Sequence, residues 1–311
     1  FLNVMAHDRL RGFVAQSCSI LRVKYWRNIF DKVYAPTITI TLRKGKGGGE
    51  GKDGDNGGTN AIEVENGGLP YHISSARLAH SNLFNFSVSD EKNNLVIKLD
   101  ENQNAARLAG NAEFALGIVT GDNGTFLKDR RYREMEPVLR GIDICAYTYR
   151  APEKFLKFSP ERFQQVAPEQ YYRAPEKLLY KFVSSSLCFA YDDRQTLSLN
   201  SCNILIPRFA ELPIKYVLAV LNSSVAHFYF TNKFQSVKVL RSHIEAVPIP
   251  VADAAARAHI CALVDEVLSA GVTELRGVLI KRIDDVVMDL FDLSPGERTQ
   301  VQADALRTDA R

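Results

Sequence analysis

The chain has 311 residues, 46% hydrophobic and 24% charged, with a formal net charge of +3. That is enough material for two domains with substantial cores, in the composition range of soluble globular proteins. No run of 18 apolar residues and no signal peptide is present, which argues against a membrane partner and for a cytoplasmic location.

In chain order, residues 1–16 read as the end of a helix, with Leu10, Phe13 and Val14 on one face. The chain opens on Phe1, without a methionine, which reads as a fragment of a larger protein. Cys18 to Val23 and Ala35 to Leu42 read as two strands. The second is rich in β-branched residues and alternates strictly through Thr37-Ile38-Thr39-Ile40-Thr41-Leu42. Residues 45–58, GKGGGEGKDGDNGG, contain Gly-x-Gly-x-x-Gly at Gly49, Gly51 and Gly54. An anion-binding loop of that kind needs a helix N-terminus directly behind it, and Asp55-Asn56-Gly57-Gly58 will not start one. The segment therefore reads as a flexible surface loop. There is no Gly-Lys-Ser/Thr, hence no P-loop.

Residues 61–112 contain SNLFNFSVSD and NNLVIKLD, which read as strands or short bridging elements. Phe114 to Val119 is a short apolar run that stops at Thr120-Gly121-Asp122-Asn123-Gly124. With Gly117 in its middle it is a poor helix, so a strand feeding a tight polar turn is expected. Leu187 to Tyr191 and Asn203 to Pro207 read as further strands. Pro213 to Tyr229 reads as one helix with Val217, Leu221, Val225 and Phe228 on a stripe. Residues 252–292 give two amphipathic helices, striped by Ile260, Leu263, Val264 and Val267 and by Leu279, Ile283, Val286 and Leu290. Their expected work is core packing, with a dimer or partner interface as the alternative. The last dozen residues are polar and are expected to fray.

Charge is unevenly distributed: +7 over residues 1–46, −4 over 47–112, +4 over 113–250 and −4 over 251–311. A basic region between acidic ones suits a polyanion partner, and also suits an ordinary solvated surface. The basic residues concentrate in Lys128-Asp129-Arg130-Arg131-Tyr132-Arg133. Arg150, Lys154 and Lys157 follow, and then Arg173, Lys177 and Lys181. Tyr132, Tyr147, Tyr149, Tyr171 and Tyr172 lie among them. Cations for phosphates and forked or amide side chains for base edges are what DNA recognition requires. The candidate DNA-binding residues are therefore Asn123, Lys128, Arg130, Arg131, Arg133, Arg150, Lys154, Arg173, Lys177 and Lys181. Asn123 either reads a base or shapes its own turn.

Other chemistries fit poorly. Cys18, Cys145, Cys188, Cys202 and Cys261 are odd in number and show no Cys-x-x-Cys spacing, so no zinc site or disulfide framework is indicated. The six histidines include no His-Glu-x-x-His. Asp192 and Asp193 point to opposite faces of a strand and cannot share a metal. Ser184-Ser185-Ser186 lacks a nucleophile elbow. Asp90-Glu91-Lys92 matches half of a nuclease motif without the upstream Pro-Asp.

The stretches GIVTGDNGTF (from Gly117) and PVLRGIDICAYTY (from Pro137) resemble the opening of the TaqI-like C-terminal specificity domain. That domain is the target-recognition part of adenine-N6 DNA methyltransferases and of fused restriction-modification enzymes. The residues that carry the resemblance are Gly117, Thr120, Gly121, Asn123 and Phe126, then Leu139, Gly141, Ile142, Asp143 and Tyr147. APEKLLYKFVSSSLCFAYDD (from Ala174), YVLAVLNSSVAHFYF (from Tyr216) and HIEAVPIP (from His243) are similar to its later segments, in the same order. The resemblance covers most of residues 80–250. It implies an α+β chain divided as follows: 1–45 the end of an α/β methyltransferase domain; 46–60 a flexible loop; 61–112 a bridging segment; 113–250 a mixed, β-rich DNA target-recognition domain; 251–311 a helical C-terminal region.

It further implies that the S-adenosylmethionine site and the Asn-Pro-Pro-Tyr-type motif lie upstream of Phe1. The sequence contains no Pro-Pro pair. On this reading the chain holds no cofactor, metal or catalytic residue of its own. Its expected partners are double-stranded DNA and a missing N-terminal catalytic domain, within an adenine-N6 methyltransferase with or without an endonuclease. The rival reading is a non-enzymatic DNA-binding specificity or assembly subunit.

Overall fold

The computed structural model describes residues 2, 7–26, 29, 37–45, 61–79 and 84–309. The glycine-rich loop read at 46–60 lies outside the described residues, as do Ala35 and the start of SNLFNFSVSD. The chain divides into two compact units, residues 1–98 and 99–311. Small mixed sheets alternate with helices, so the fold is α+β.

In the first unit a helix, α1 (Asp8–Ser17), leads into β1 (Cys18–Trp26), β2 (Thr37–Lys44), β3 (Ala61–Glu65) and β4 (Tyr71–Ser74). The strands form one sheet in the order β2-β1-β3-β4, parallel only between β1 and β3. Residues read as a bridging segment thus complete the same sheet as β1 and β2. Val14, Ile20, Val23, Ile62, Val64, Ile73, Phe84 and Phe86 make its core. On α1 the expected face is only partly buried: Val14 is covered, Leu10 and Phe13 are exposed, and Arg11 is buried beside Asp8.

Phe84 to Ser89 form no strand. The Arg77 guanidinium donates to the carbonyls of Asn85, Val88 and Ser89, which gathers that segment into turns. NNLVIKLD is likewise helical, within α2 (Asp90–Asp100). Of its apolar residues, Leu95, Val96 and Leu99 are buried at helical spacing and Ile97 is half-buried. Asp90 and Glu91 sit in the positively polarised first turn.

The second unit begins with β5 (Ala105–Ala106), β6 (Ala112–Ala115), a one-turn helix α3 (Asn123–Phe126), β7 (Glu136–Leu139) and β8 (Lys154–Leu156). Next come α4 (Glu169–Tyr172), β9 (Lys177–Lys181), β10 (Phe189–Asp192), β11 (Leu197–Ser198) and β12 (Cys202–Pro207). It closes with α5 (Ile214–Leu221), α6 (Ser224–Phe234), α7 (Arg241–Ala246), β13 (Ile249–Pro250), α8 (Ala254–Ser269), α9 (Thr273–Leu290) and α10 (Pro295–Asp309). Three sheets result, ordered β10-β9-β12-β6, β11-β7-β8 and β13-β5. A shared core of Ile118, Val138, Leu139, Ile144, Leu156, Leu179, Leu197, Leu199, Cys202 and Ile204 lies among the first two sheets and their connections.

The helix expected over 213–229 is two helices. Asn222 and Ser223 interrupt it, because the Ser223 hydroxyl accepts from the Ala226 N–H and caps α6. The Asp284 carboxylate accepts from Ser224 N and Oγ, at 2.7 Å each, and fastens α9 to the same N-terminus. In α8 the expected stripe of Ile260, Leu263, Val264 and Val267 is buried. In α9 the buried set is Leu279, Ile283, Val287 and Met288, while Val286 and Leu290 are half-buried. The buried positions follow steps of four residues, each turning the stripe by about 40°, so Val287 takes the place expected for Val286.

The C-terminal segment does not fray where it is described. Ser294 and Glu297 form a reciprocal capping box that starts α10. Val301 is fully buried, and Asn232 Nδ2 donates to Asp304 Oδ2 at 2.8 Å, joining α10 to α6.

Candidate nucleic-acid interface

The glycines of the two short motifs converge on one turn, residues 199–202. A Cβ on Gly117 would stand 2.1 Å from the Leu199 carbonyl oxygen, and one on Gly141 would stand 2.5 Å from that of Ser201. Neither space admits a side chain. The approach is held by Ile118 N donating to Ser198 O, Asn200 N to Ile118 O, Leu199 N to Leu139 O and Gly141 N to Ser201 Oγ. The motif residues beyond them also shape the scaffold. Gly121 has φ +82°. Asp122 caps α3 by accepting from Gly124 N and Thr125 N, and its carboxyl is held below the usual range by the Thr125 hydroxyl and these N–H groups. Asn222 exchanges two hydrogen bonds of 2.9 Å with the backbone of Phe189, as a strand residue would.

Asn123 is exposed, and its Oδ1 accepts from the Thr120 hydroxyl at 2.7 Å. That contact serves the turn. Lys128 pairs with Phe155 through both backbone bonds, so the chain runs along the free edge of β8 before it arches over to enter β7. The arch, residues 129–135, has an acidic residue at each foot: Asp129 meets Lys154, and Glu134 meets Lys157 at 2.7 Å, one lysine within β8 and one just past its end. Both carboxyls are drawn below their ordinary range by those ammonium groups. Arg131 Nε donates to the Met135 carbonyl, and Met135 N donates to the Tyr132 carbonyl, which closes the arch on itself. Arg130, Tyr132 and Arg133 are exposed at the crown, and the two arginines make no ion pair among the described residues.

The other expected cations divide. Lys154 is engaged with Asp129. Arg150 is exposed, and Lys181 is half-buried at the end of β9; neither makes an ion pair among the described residues. Arg173 is bidentate to Glu136, at 2.5 and 2.7 Å, and also bonds Glu169, so its charge is answered within the fold. Its guanidinium is held further above its usual pKa by the Glu136 carboxylate. Lys177 is a correction. Its side chain has no exposure, and its ammonium lies 2.5 Å from Asp192 and 2.8 Å from the Tyr172 carbonyl. A lysine sealed in that way cannot meet a phosphate.

Sequence reasoning missed a second exposed basic element. Residues 182–184 and 237–239 pair as a short ribbon through Ser184 N to Val237 O and Val239 N to Phe182 O. Val183 and Val237 stand out from it, 62% and 60% exposed, and Lys238, which follows Val237, is exposed as well. Arg241 lies over the Phe114 ring at 5.1 Å and donates to Glu245. The available signal was the apolar-basic alternation Val237-Lys238-Val239-Leu240-Arg241.

Residues 136–249 match the family model described as the TaqI-like C-terminal specificity domain. The match begins at β7, so GIVTGDNGTF stands just ahead of it. No curated protein matches the chain. Among solved structures, the type IIL restriction-modification enzyme MmeI, determined in complex with DNA, is 12% identical. The likeness covers 94% of this chain and 46% of MmeI, with a TM-score of 0.51. The type IIG restriction endonuclease BpuSI is 12% identical over 91% of this chain and 45% of its own, with a TM-score of 0.44. The HsdS subunit from Thermoanaerobacter tengcongensis is 14% identical over 65% and 51%, with a TM-score of 0.36. The chain thus spans about half the length of the solved structures it resembles. With MmeI it shares a fold. No helix among the described residues is long and apolar enough to cross a membrane.

Proposed function

We propose that this chain, whose residues 136–249 match a TaqI-like C-terminal specificity domain, selects the DNA sequence on which a restriction-modification enzyme acts. The match to that domain is the observation that carries the reading. The exposed arginines of the 129–135 arch, with their acidic neighbours already paired to Lys154 and Lys157, give it a physical basis. The cations would contact phosphates, and the ribbon at 182–184 and 237–239 is of a size that a major groove admits. MmeI, whose fold the chain shares, was determined on DNA, which supports the same partner.

The parent enzyme is proposed to be an adenine-N6 DNA methyltransferase, acting with or without an endonuclease. This chain would hold the duplex while a separate catalytic domain flips the target adenine out of the stack and methylates it. S-adenosylmethionine would supply the methyl group in that domain. The proposal assigns the cofactor no residue of this chain.

The test is retention of a random-sequence duplex pool on the chain across a salt series, followed by sequencing. Retention that falls steeply with salt, with one enriched motif, is expected. Retention without enrichment, from a chain shown to be folded, would remove sequence selection from this chain.

A further inference from the structure

The arch at 129–135 carries an aromatic ring that the packing of the fold does not explain. Tyr132 is 59% exposed, and neither its ring nor its hydroxyl has a partner among the described residues. The flanking tyrosines behave differently. Tyr147 and Tyr172 are fully buried, and Tyr149 donates to Asp192 at 2.7 Å. A ring left in water beside three arginines gains nothing for the free fold, since burial is what makes an aromatic side chain stabilising.

The arch is also built to hold that ring still. Its start is fixed by the Lys128–Phe155 backbone pair, and its two feet by Lys154 and Lys157. Its turn is fixed by the bonds among Arg131, Tyr132 and Met135, and by Glu134 in the left-handed region at φ 66°. A non-glycine residue is strained at that backbone angle and persists there where the surroundings enforce it. An exposed aromatic on a pre-ordered loop loses little freedom on binding, which is why tyrosine beside arginine recurs at energetic centres of interfaces.

We propose that Tyr132 is a DNA-contacting residue whose ring packs against a deoxyribose or a base edge of the duplex, while Arg130 and Arg133 on either side engage phosphates. The inference rests on the reading of the chain as a DNA-recognition module, and it adds an apolar contact to the electrostatic ones. The two kinds of contact separate in their response to salt. Phosphate neutralisation contributes a slope of about 0.9 per phosphate in log affinity against log salt, whereas ring packing contributes none. Stacking of a ring on an unstacked base is worth about 5- to 150-fold in affinity, and the smaller contact with an intact duplex is expected to be worth about tenfold.

The experiment measures affinity of the 311-residue chain for a mixed-sequence duplex of about 40 base pairs, by fluorescence anisotropy between 50 and 300 mM salt. Tyr132→Ala is expected to weaken binding about tenfold at every salt concentration with an unchanged slope, and Tyr132→Phe to keep wild-type affinity. Arg130→Ala with Arg133→Ala is expected to lower the slope by about 2. Tyr132→Ala binding as wild type would overturn the proposal. So would an unchanged slope in the double arginine variant; there, wild-type binding would still uphold DNA recognition through another surface such as the 182–184 and 237–239 ribbon. A wild-type chain that is folded and binds no duplex would sink the functional reading itself, and the Tyr132 contact with it. The side chains are exposed, so each variant is expected to fold, and circular dichroism on the same samples verifies it.

Discussion

Lys177 and Asp192 face each other across β9 and β10 with no exposure on either side chain. Burial alone would raise the Asp192 carboxyl. The Lys177 ammonium, together with the Tyr149 and Thr196 hydroxyls, outweighs it and holds the carboxyl below its ordinary range. Asp192 also accepts from Thr196 N at 3.0 Å, which closes the turn into β11, where Gln195 adopts φ 57°. Lys177 is pushed down by burial against the pull of Asp192. Removing one member of such a pair leaves a buried charge alone, at a cost of about 3–5 kcal/mol, whereas exchanging both for apolar residues is often neutral. Lys177→Met should therefore lower the unfolding free energy from urea titration at pH 7 by that amount, and Lys177→Met with Asp192→Leu should recover most of it. Because the carboxyl titrates lower in the folded state than in the unfolded chain, its stabilisation is complete above the ordinary carboxylate range. It is lost as the pH falls through the folded value. The double variant should accordingly lose less stability on acidification than the native chain, measured as urea midpoints from pH 7 to pH 3. A double variant as unstable as the single one would mean that the Tyr149 and Thr196 contacts, not the ion pair, hold the turn.

At the scale of elements, the 199–202 turn is where β7, β9, β12 and the connection at Gly117 just after β6 are fastened together, through Leu199 N to Leu139 O, Phe182 N to Ser201 O and Ile118 N to Ser198 O. A methyl group at 117 has no route out, because the atoms it meets are backbone on both sides: Leu199 O at 2.1 Å and Cys202 O at 2.6 Å. Gly117→Ala should cost at least the 1–3 kcal/mol usual for overpacking, read as a drop in thermal midpoint, whereas Gly110→Ala meets no neighbouring atom and carries only its backbone strain at φ +76°. Equal losses at the two positions would show that close approach at Leu199 is not what the first glycine provides. The same contacts explain what the sequence made legible. The strands near 18–23, 37–42, 189–191 and 203–207 and the glycine-marked turns were readable because a buried strand and a close approach each demand particular residue types locally, whereas the run from Phe114 to Val119 leaves its strand at Ala115. The errors came where a distant or a capping group decides. NNLVIKLD holds a short apolar run that reads as a strand, yet Lys92 N reaches Ser89 Oγ and two acidic residues follow that serine, so a helix starts there. The Ser294–Glu297 box was equally present in the sequence and outweighed by the polarity of the residues behind it. Lys177 looked like a surface cation because its partner stands 15 residues away and only the β9–β10 register brings the two together.

For the molecule as a whole, the question is how much of the chain the proposed recognition needs. Residues 99–311 contain their own sheets and their own helical layer. The core of Ile118, Val138, Leu139, Leu179 and Leu197 is formed entirely from residues of that unit. The unit's beginning is also secured from within. Asp100 meets Lys233 at 2.5 Å and accepts from the Tyr229 hydroxyl, and β5 pairs with β13. Its size, 213 residues, is ample for a cooperative core. It also carries every cation proposed to meet DNA, whereas the strongly basic residues 1–46 lie outside it. Two ideas about charge then make different forecasts. If recognition belongs to the arch and the ribbon, residues 99–311 alone should unfold in a single urea transition, enrich the same motif as the full chain, and show the same salt slope. If residues 1–46 supply a general polyanion attraction instead, the shortened chain should lose several units of slope, since each phosphate contact contributes about 0.9. Comparing the two slopes with the enriched motif in hand separates sequence selection, which the fold of residues 99–311 supports, from charge that merely holds DNA nearby.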